Sequence, residues 1–341
     1  MNCVIFVDPH LRDKTNSYPL TLDEIYLNPL LEIRDYVLRN KIQFLYCLGD
    51  IFENRVSLNS RIQFLKFLKT FLPTCRVNIL MGNHDRREHG YYTFSELEEF
   101  KIKNLKIVST PCFQKNEHIV EIPYCRQQKV FENYLIKFGM LSFKYLLLVH
   151  QQFKGAKYNQ KFVEKEFDLK IPSNAVKVFS GHIHKPQILK EKRIFFTGST
   201  QRMNFGEEGE QKYFIHYKDG KVSYIPIKSL RNLKTVFSFE KALKLKNAEV
   251  RLLTKTQLSE KKRSLLQKML AKNGSALVSS HTLQKNVFEV KGVFSTPREV
   301  SKIKLLQQYL DSFDFSDEVK KEILKRSDEL FSTYETSRDS T

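Results

Sequence analysis

Five short apolar runs, each ending in the same kind of residue, constrain this chain more than any other feature. Cys3–Val7, Gln43–Leu48, Val77–Met81, Tyr145–Val149 and Val176–Ser180 are apolar on both phases of a period-two pattern. Such runs are expected of strands covered on both faces, as in parallel sheets. Helical stretches, Leu22–Arg39 and Ser60–Leu72, separate the early ones. Strand–helix–strand alternation predicts an α/β layered fold. Beyond Gly181 the runs shorten to Arg193–Phe196, Lys212–Tyr217 and Lys221–Ile227, the last two joined by a Lys218-Asp219-Gly220 turn of hairpin type.

In open α/β sheets the ligand edge lies at the carboxyl ends of the strands. The five runs are followed by Asp8-Pro9-His10, Gly49-Asp50, Gly82-Asn83-His84-Asp85, His150 and Gly181-His182-Ile183-His184. Five of the nine histidines stand at these positions. Carboxylate, amide oxygen and imidazole without thiolate suit Mn²⁺, iron or Zn²⁺. Asp8 and His10, and likewise His182 and His184, are two apart, so extended backbone would point each pair to one side. The ligands are too many for one tetrahedral ion. Two ions bridged by one carboxylate, with Asp50 as the candidate, account for all of them and form a clamp for in-line attack on phosphorus. A lone histidine at a strand end is more often structural; the five clusters in order are what carry the reading.

The series DPH, GD, GNHD, H and GHIH resembles the calcineurin-like metallophosphoesterases. GDIFENR, LLLVHQ, GHIHKPQ and the segment Gly198–Phe214 (GSTQRMNFGEEGEQKYF) further resemble SbcD-type (Mre-family) DNA repair nucleases, over residues 2–228. The resemblance implies a sandwich of two β-sheets flanked by helices, with a small α/β capping domain and a C-terminal helical pair. It places Asp8, His10, Asp50 and His184 on one divalent ion, and Asp50, Asn83, His150 and His182 on a second, with Mn²⁺ the expected metal. His84 is then not a ligand but a catalytic residue beside the phosphate, stabilising or protonating the leaving group. The implied reaction is 3′–5′ exonuclease and single-strand or hairpin endonuclease cleavage of DNA in double-strand-break repair or recombination. The implied partners are DNA, a coiled-coil SbcC-type ABC ATPase and a second copy of the chain. Two positions depart from the family pattern. Arg12 stands where a glycine is common, and Glu53 where some relatives have histidine; a carboxylate there cannot contact a phosphate favourably.

Charge bears on the substrate. The 341 residues include 57 Lys and Arg against 38 Asp and Glu, net +19. The segment 231–304 has a net charge of +12, and the stretch from 305 onward −4. A basic surface of this size points to a polyanion, nucleic acid first. Arg12, Arg55, Arg202, Lys261, Lys262 and Arg263 are the candidate DNA contacts. Expected domains are therefore 1–228 (nuclease), 229–299 (basic cap) and 300–341 (ATPase-binding helices, with amphipathic spacing over Val300–Tyr334). The competing readings are a small-molecule or phosphoprotein phosphoesterase and a non-catalytic DNA-end scaffold. No apolar run reaches the ~18 residues of a membrane span. Five cysteines without a CxxC pattern suggest reduced thiols, so a cytoplasmic site is expected. That cytoplasm would be a host's if a phage encodes the chain, which is short for this family.

Overall fold

A computed structural model describes residues 1–11, 23–53, 58–85, 101–158, 163–189, 191 and 193–282. Arg12, Arg55, residues 283–299 of the expected cap and the expected C-terminal helices lie outside them.

The strands are β1 (Asn2–Phe6), β2 (Phe44–Cys47), β3 (Arg76–Leu80), β4 (Leu105–Val108), β5 (Cys112–Gln114), β6 (Ile119–Ile122), β7 (Tyr145–His150), β8 (Ala175–Gly181), β9 (Gln187–Leu189), β10 (Ile194–Phe196), β11 (Tyr213–Lys218), β12 (Lys221–Pro226), β13 (Leu233–Val236), β14 (Glu249–Thr254) and β15 (Ala276–Thr282). One six-stranded sheet has the order β12-β11-β1-β2-β3-β4, with β1 to β4 parallel. The other has the order β5-β6-β7-β8-β10-β9, parallel from β6 through β10. In both sheets, antiparallel strands complete the edges beside β1, β6 and β10.

The two phases of each central strand are buried against different partners. Cys3, Ile5 and Val7 of the first run meet Leu146, Leu148 and Phe179 of the second sheet in a core between the sheets. Val4 and Phe6 face outward instead, onto Leu30, Ile33 and Val37 of the helix Asn28–Arg39 and Phe64, Phe67, Leu68 and Phe71 near the helix Leu58–Lys69. In the second sheet Val120, Leu147 and Val149 pack with Phe131, Leu135 and Phe138 of the helix Gln128–Gly139. This is the two-sheet sandwich flanked by helices, and it explains why the runs alternate so little: both faces are dry.

The helix expected over Leu22–Arg39 is a π-helical turn, Asp23–Leu27, continued by the α-helix Asn28–Arg39 with Pro29 in its first turn. Four short strands, β4, β5, β6 and β9, carry no clear period in the sequence. In β6 the reason is Glu121, which is buried among apolar residues and takes both Asn78 Nδ2 contacts at 3.0 and 3.1 Å. The β11–β12 hairpin turns on Asp219 (φ 48°) and Gly220 (φ 87°), both left-handed as a two-residue turn requires. No disulfide links any of the five cysteines.

The parallel strands β13, β14 and β15 form a third sheet with helices Phe239–Leu243 and Glu260–Lys272 as crossovers. Ala242, Val250, Leu252, Leu266 and Leu270 give it an apolar core of its own. The described residues of Met1–Gln284 nevertheless form one compact unit. The third sheet is tied to the sandwich by the Arg231 guanidinium. It pairs with Glu249 (2.6 Å) and donates to the Arg202 and Met203 carbonyls (2.8 and 3.0 Å). Among the described residues no helix is long and apolar enough to cross a membrane.

Candidate metal centre

The loops after β1 and β2 run side by side. Asp8 N–H donates to the Gly49 carbonyl (3.1 Å), His10 N–H to Asp50 (3.0 Å), Leu11 N–H to Ile51 (2.8 Å), and Glu53 N–H back to Leu11 (3.0 Å). The backbone is not extended here, contrary to the expectation from residue spacing. Asp8 (φ 50°), His10 (φ 46°), Asp50 (φ 49°) and His182 (φ 78°) are all left-handed. Each such non-glycine residue costs roughly 1–2 kcal/mol, and their concentration at one place marks a site held by its surroundings. Close approach also demands glycine at two positions. A Cβ on Gly49 would lie 2.6 Å from His150 Nδ1, and one on Gly82 would overlap Asp50 Oδ1 at 2.1 Å.

All seven expected ligands converge. Asp50 Oδ2 lies 3.3 Å from His150 Nε2 and 3.7 Å from His10 Nε2. Asn83 Oδ1 is 3.0 Å from His150 Nε2 and 2.7 Å from His182 Nδ1. His10 Nε2 and His184 Nε2 face each other at 3.1 Å. Among the described residues two groups have ligand atoms within 4.8 Å of one another, Asp50–His150–His182 and His10–Asp50–His84. Asp50 belongs to both, the position a bridging carboxylate must have. His84, expected beside the substrate, thus also stands within ligand reach of His10 and Asp50. Its backbone N–H donates to Asp50 Oδ1 at 2.8 Å.

The residues present fit divalent cations. Asp8 Oδ2 is buried without a hydrogen-bond partner. The His10 Nδ1 corner faces Glu53 (3.3 Å), that of His184 faces Glu207 (3.5 Å), and that of His150 meets the Leu48 carbonyl (2.6 Å). Acceptors behind Nδ1 favour the proton there. The facing His10 and His184 Nε2 atoms are close enough to share a proton or to meet one cation.

Charge states follow from the same packing. Burial pushes the Asp8 carboxyl up, against the pull of His150. Burial would raise Asp50 too, but His150, His10 and His84 together bring it well below the usual carboxylate range. His150 is pushed up to about 9: burial opposes its charge, and Asp50 more than compensates. His182, desolvated and beside His150, falls to about 3, so it is a neutral donor. Glu53 is held well below its ordinary value by its contacts with His10 and His84. In the absence of metal the site therefore pairs the anionic Asp50 and Glu53 with a protonated His150 and a neutral His182.

Several supporting residues have roles that the sequence motifs do not reveal. Asp85 is buried and its carboxylate accepts from the Ile51 (3.1 Å), Phe52 (3.4 Å) and Gly82 (3.0 Å) N–H groups, stapling two ligand loops. Burial and then the Asp50 charge push it up to about 7. Tyr124 stacks on His182 with centroids 5.6 Å apart. Glu207 is held down to about 2, against burial, by His184 and by Lys212, whose ammonium lies 2.7 Å away. Lys212 is fully buried, with Glu210 (2.6 Å) and the His184 carbonyl (2.8 Å) as its other partners. Removing one partner of a buried pair costs about 3–5 kcal/mol. Lys212→Met is accordingly expected to lower stability by about that amount, read as a shift in the urea midpoint; an unchanged midpoint would contradict the role.

The candidate DNA contacts separate into two kinds. Lys261, Lys262 and Arg263 are exposed on the helix Glu260–Lys272, far in sequence from the ligand loops. Arg202 is half-buried and donates to the Glu210 (2.8 Å) and Arg231 (2.7 Å) carbonyls, at the joint between sandwich and cap. A cavity of about 330 Å³ opens beside the ligands, lined by Tyr158, His182, His184, Asn204, Gly206 and Glu207.

A two-sheet sandwich with a histidine-rich cluster around the central carboxylate of Asp50 at its strand ends is the arrangement of a metal-dependent hydrolytic centre. The profile of the calcineurin-like phosphoesterase family matches residues 1–186, more than half of the sequence, and the chain belongs to that family. Its members use a dinuclear divalent metal centre to hydrolyse phosphoesters. A search of curated proteins found no match. Among solved structures, TT1561 of Thermus thermophilus is similar at 10% identity and a TM-score of 0.42, covering 67% of this chain and 99% of its own. A second is similar at 9% identity and a TM-score of 0.40, covering 67% and its own 99%.

Proposed function

We propose that this chain is a divalent-metal-dependent DNA nuclease of the SbcD type, cleaving phosphodiesters at DNA ends in break repair or recombination. The observation that carries the reading is the joint between the metal centre and the basic cap. Glu207, behind the ligand His184, belongs to the same short segment as Phe205 and Glu208. Arg251 of the cap lies 4.8 Å over the Phe205 ring, and Thr235 N–H donates to Glu208 (2.9 Å). The cap carries 12 Lys and Arg against three acids over residues 231–282. A long polyanion gains from such a surface beside the metal edge; a small phosphomonoester does not.

Asp8, His10, Asp50 and His184 would hold one ion and Asp50, Asn83, His150 and His182 the other, with Mn²⁺ the metal the resemblance favours. When bound, such ions supply Lewis-acid activation of water and of the phosphoryl oxygens. The side chains do the rest. Asp50 neutralises charge at both positions. Tyr124, by stacking on His182, keeps its ring in place. His84, half-buried with its Nδ1 toward Glu53, presents Nε2 for proton donation to the departing oxygen. A homodimer belongs to this proposal, and Ile62 and Leu65 leave apolar surface exposed on the helix Leu58–Lys69 for it. So does recruitment of a coiled-coil ABC ATPase by the segment beyond residue 299.

End-labelled duplex DNA and p-nitrophenyl phosphate, each with and without Mn²⁺, test the reading. Mn²⁺-dependent shortening of DNA is expected; hydrolysis of the monoester alone would replace the nuclease with a phosphatase. Neutralising Lys261, Lys262 and Arg263 together is expected to weaken DNA binding. The slope of log Kd against log[salt] should flatten by about one unit for each phosphate these side chains neutralise. An unchanged slope would place DNA on another face.

A further inference from the structure

We propose that the cavity lined by Tyr124 and Tyr134 receives the base of the nucleotide whose phosphate meets the ligand cluster. The proposal rests on the phosphoesterase reading of the site above and names the class of ester. The cavity measures about 360 Å³, within the ~300–1,000 Å³ of small-ligand sites, and Ser109, Thr110, Tyr124, Arg126, Val130 and Tyr134 are among its walls. It opens between the chain that follows β4 and the chain that follows β6. Both strands run parallel to the ligand-bearing ones of their sheets, so the cavity lies at the same carboxyl edge as the metal ligands. Its floor is pinned to two ligand loops. Tyr124 N–H donates to the carbonyl of Met81 (2.9 Å), just before Gly82 and Asn83. Cys125 N–H donates to Oε1 of Gln151 (3.2 Å), the neighbour of His150. The Tyr124 ring joins the two places. It stacks on His182 with centroids 5.6 Å apart, stands edge-on to His150 at 6.1 Å, and forms part of the cavity wall.

The chemistry of the walls fits a nucleotide. Val130 and Tyr134 stand one turn apart on the helix Gln128–Gly139, and with Tyr124 they supply two rings and apolar surface for a flat base. Every base has a π-face, so stacking of this kind tolerates any sequence. Arg126 is exposed and adds a cation, and Ser109 and Thr110 add hydroxyls. None of the described lining residues is acidic, whereas the cavity at Tyr158 has Glu207 and the one at Tyr36 has Glu32 and Asp35. Of these cavities, an anionic ligand is repelled least by the one at Tyr124. A base seated there has left its stack, so DNA must present an unpaired nucleotide at the cleaved bond. Unpaired ends should accordingly be cut faster than fully paired ones.

The experiment uses the full-length chain. Deoxyadenosine 5′-monophosphate and deoxyribose 5-phosphate, which lacks the base, are titrated calorimetrically with Mg²⁺ present. The nucleotide should bind about 5- to 150-fold tighter, the effect of one base stacked on an aromatic ring. Tyr134→Leu should erase most of that advantage. So should Val130→Trp, which fills the cavity from an exposed position. With single-stranded DNA and Mn²⁺, an abasic nucleotide at the cleaved bond should lower kcat/KM by a similar factor in the unsubstituted chain, and by much less in either variant. Each comparison sets base against no base within one protein, so a general loss of metal or activity does not imitate the effect. Loss of the base advantage in either folded variant upholds the proposal. Equal binding of the two phosphates by the unsubstituted chain overturns it. So does a base advantage that survives both variants, or DNA cut equally well with and without the base. A chain that cuts no DNA, yet shows a base advantage that the variants erase, would end the nuclease reading and leave the cavity to a mononucleotide ester.

Discussion

Asp50→Asn is expected to abolish phosphodiester hydrolysis, by about 10³-fold or more, in a protein that still folds. Deleting one electrostatic stabiliser from an active site typically costs about 10²–10³-fold, and Asp50 serves both candidate metal positions. Its Oδ2 stands 3.3 Å from His150 and 3.7 Å from His10, one histidine from each set. Asparagine keeps the shape and can keep the acceptor for His84 N–H, but it brings neutral NH₂ hydrogens toward two imidazoles. Metal analysis of the purified variant should show the content of divalent ion reduced along with turnover. Substantial Mn²⁺-dependent cleavage by a folded Asp50→Asn protein would remove the bridged two-ion assignment.

His84→Ser is the second large effect, and it separates two roles the geometry places side by side. His84 lies within ligand reach of His10 and Asp50, and its Nδ1 lies 3.1 Å from Glu53 Oε1. As a general acid it contributes about 10²–10⁴-fold, so kcat should fall by that factor with metal content unchanged. The fold has little reason to suffer, since the contact of residue 84 with Asp50 is through the backbone N–H. Metal content falling in step with kcat would make His84 a ligand instead. A substrate with a very acidic leaving group, which needs no proton, should recover most of the missing rate if His84 is the acid.

Much of this protein is legible in the sequence because it depends on neighbours along the chain. The runs Cys3–Val7, Gln43–Leu48, Val77–Met81, Tyr145–Val149 and Val176–Ser180 are apolar on both phases, and that alone requires strands with two covered faces. Chain order then carries Asp8, Asp50 and Asn83 to the carboxyl edge of one sheet and His150 and His182 to that of the other, and the packing of the two sheets brings the edges together. Left to tertiary structure is what depends on packing between loops. Asp8 and His10 meet the site through left-handed backbone, not the extended one their spacing suggested, because the β1 and β2 loops hydrogen-bond to each other. Glu207 is 23 residues from His184, and Lys212 is buried between them only because the cap joint folds back. Arg202, one of six basic residues that composition marks for DNA, turns out to donate to backbone carbonyls at that joint. Residue type and local period decide which atoms reach the edge. Which of them carry a proton, accept a hydrogen bond or support a ligand from behind is decided by desolvation and by contacts between segments remote in sequence.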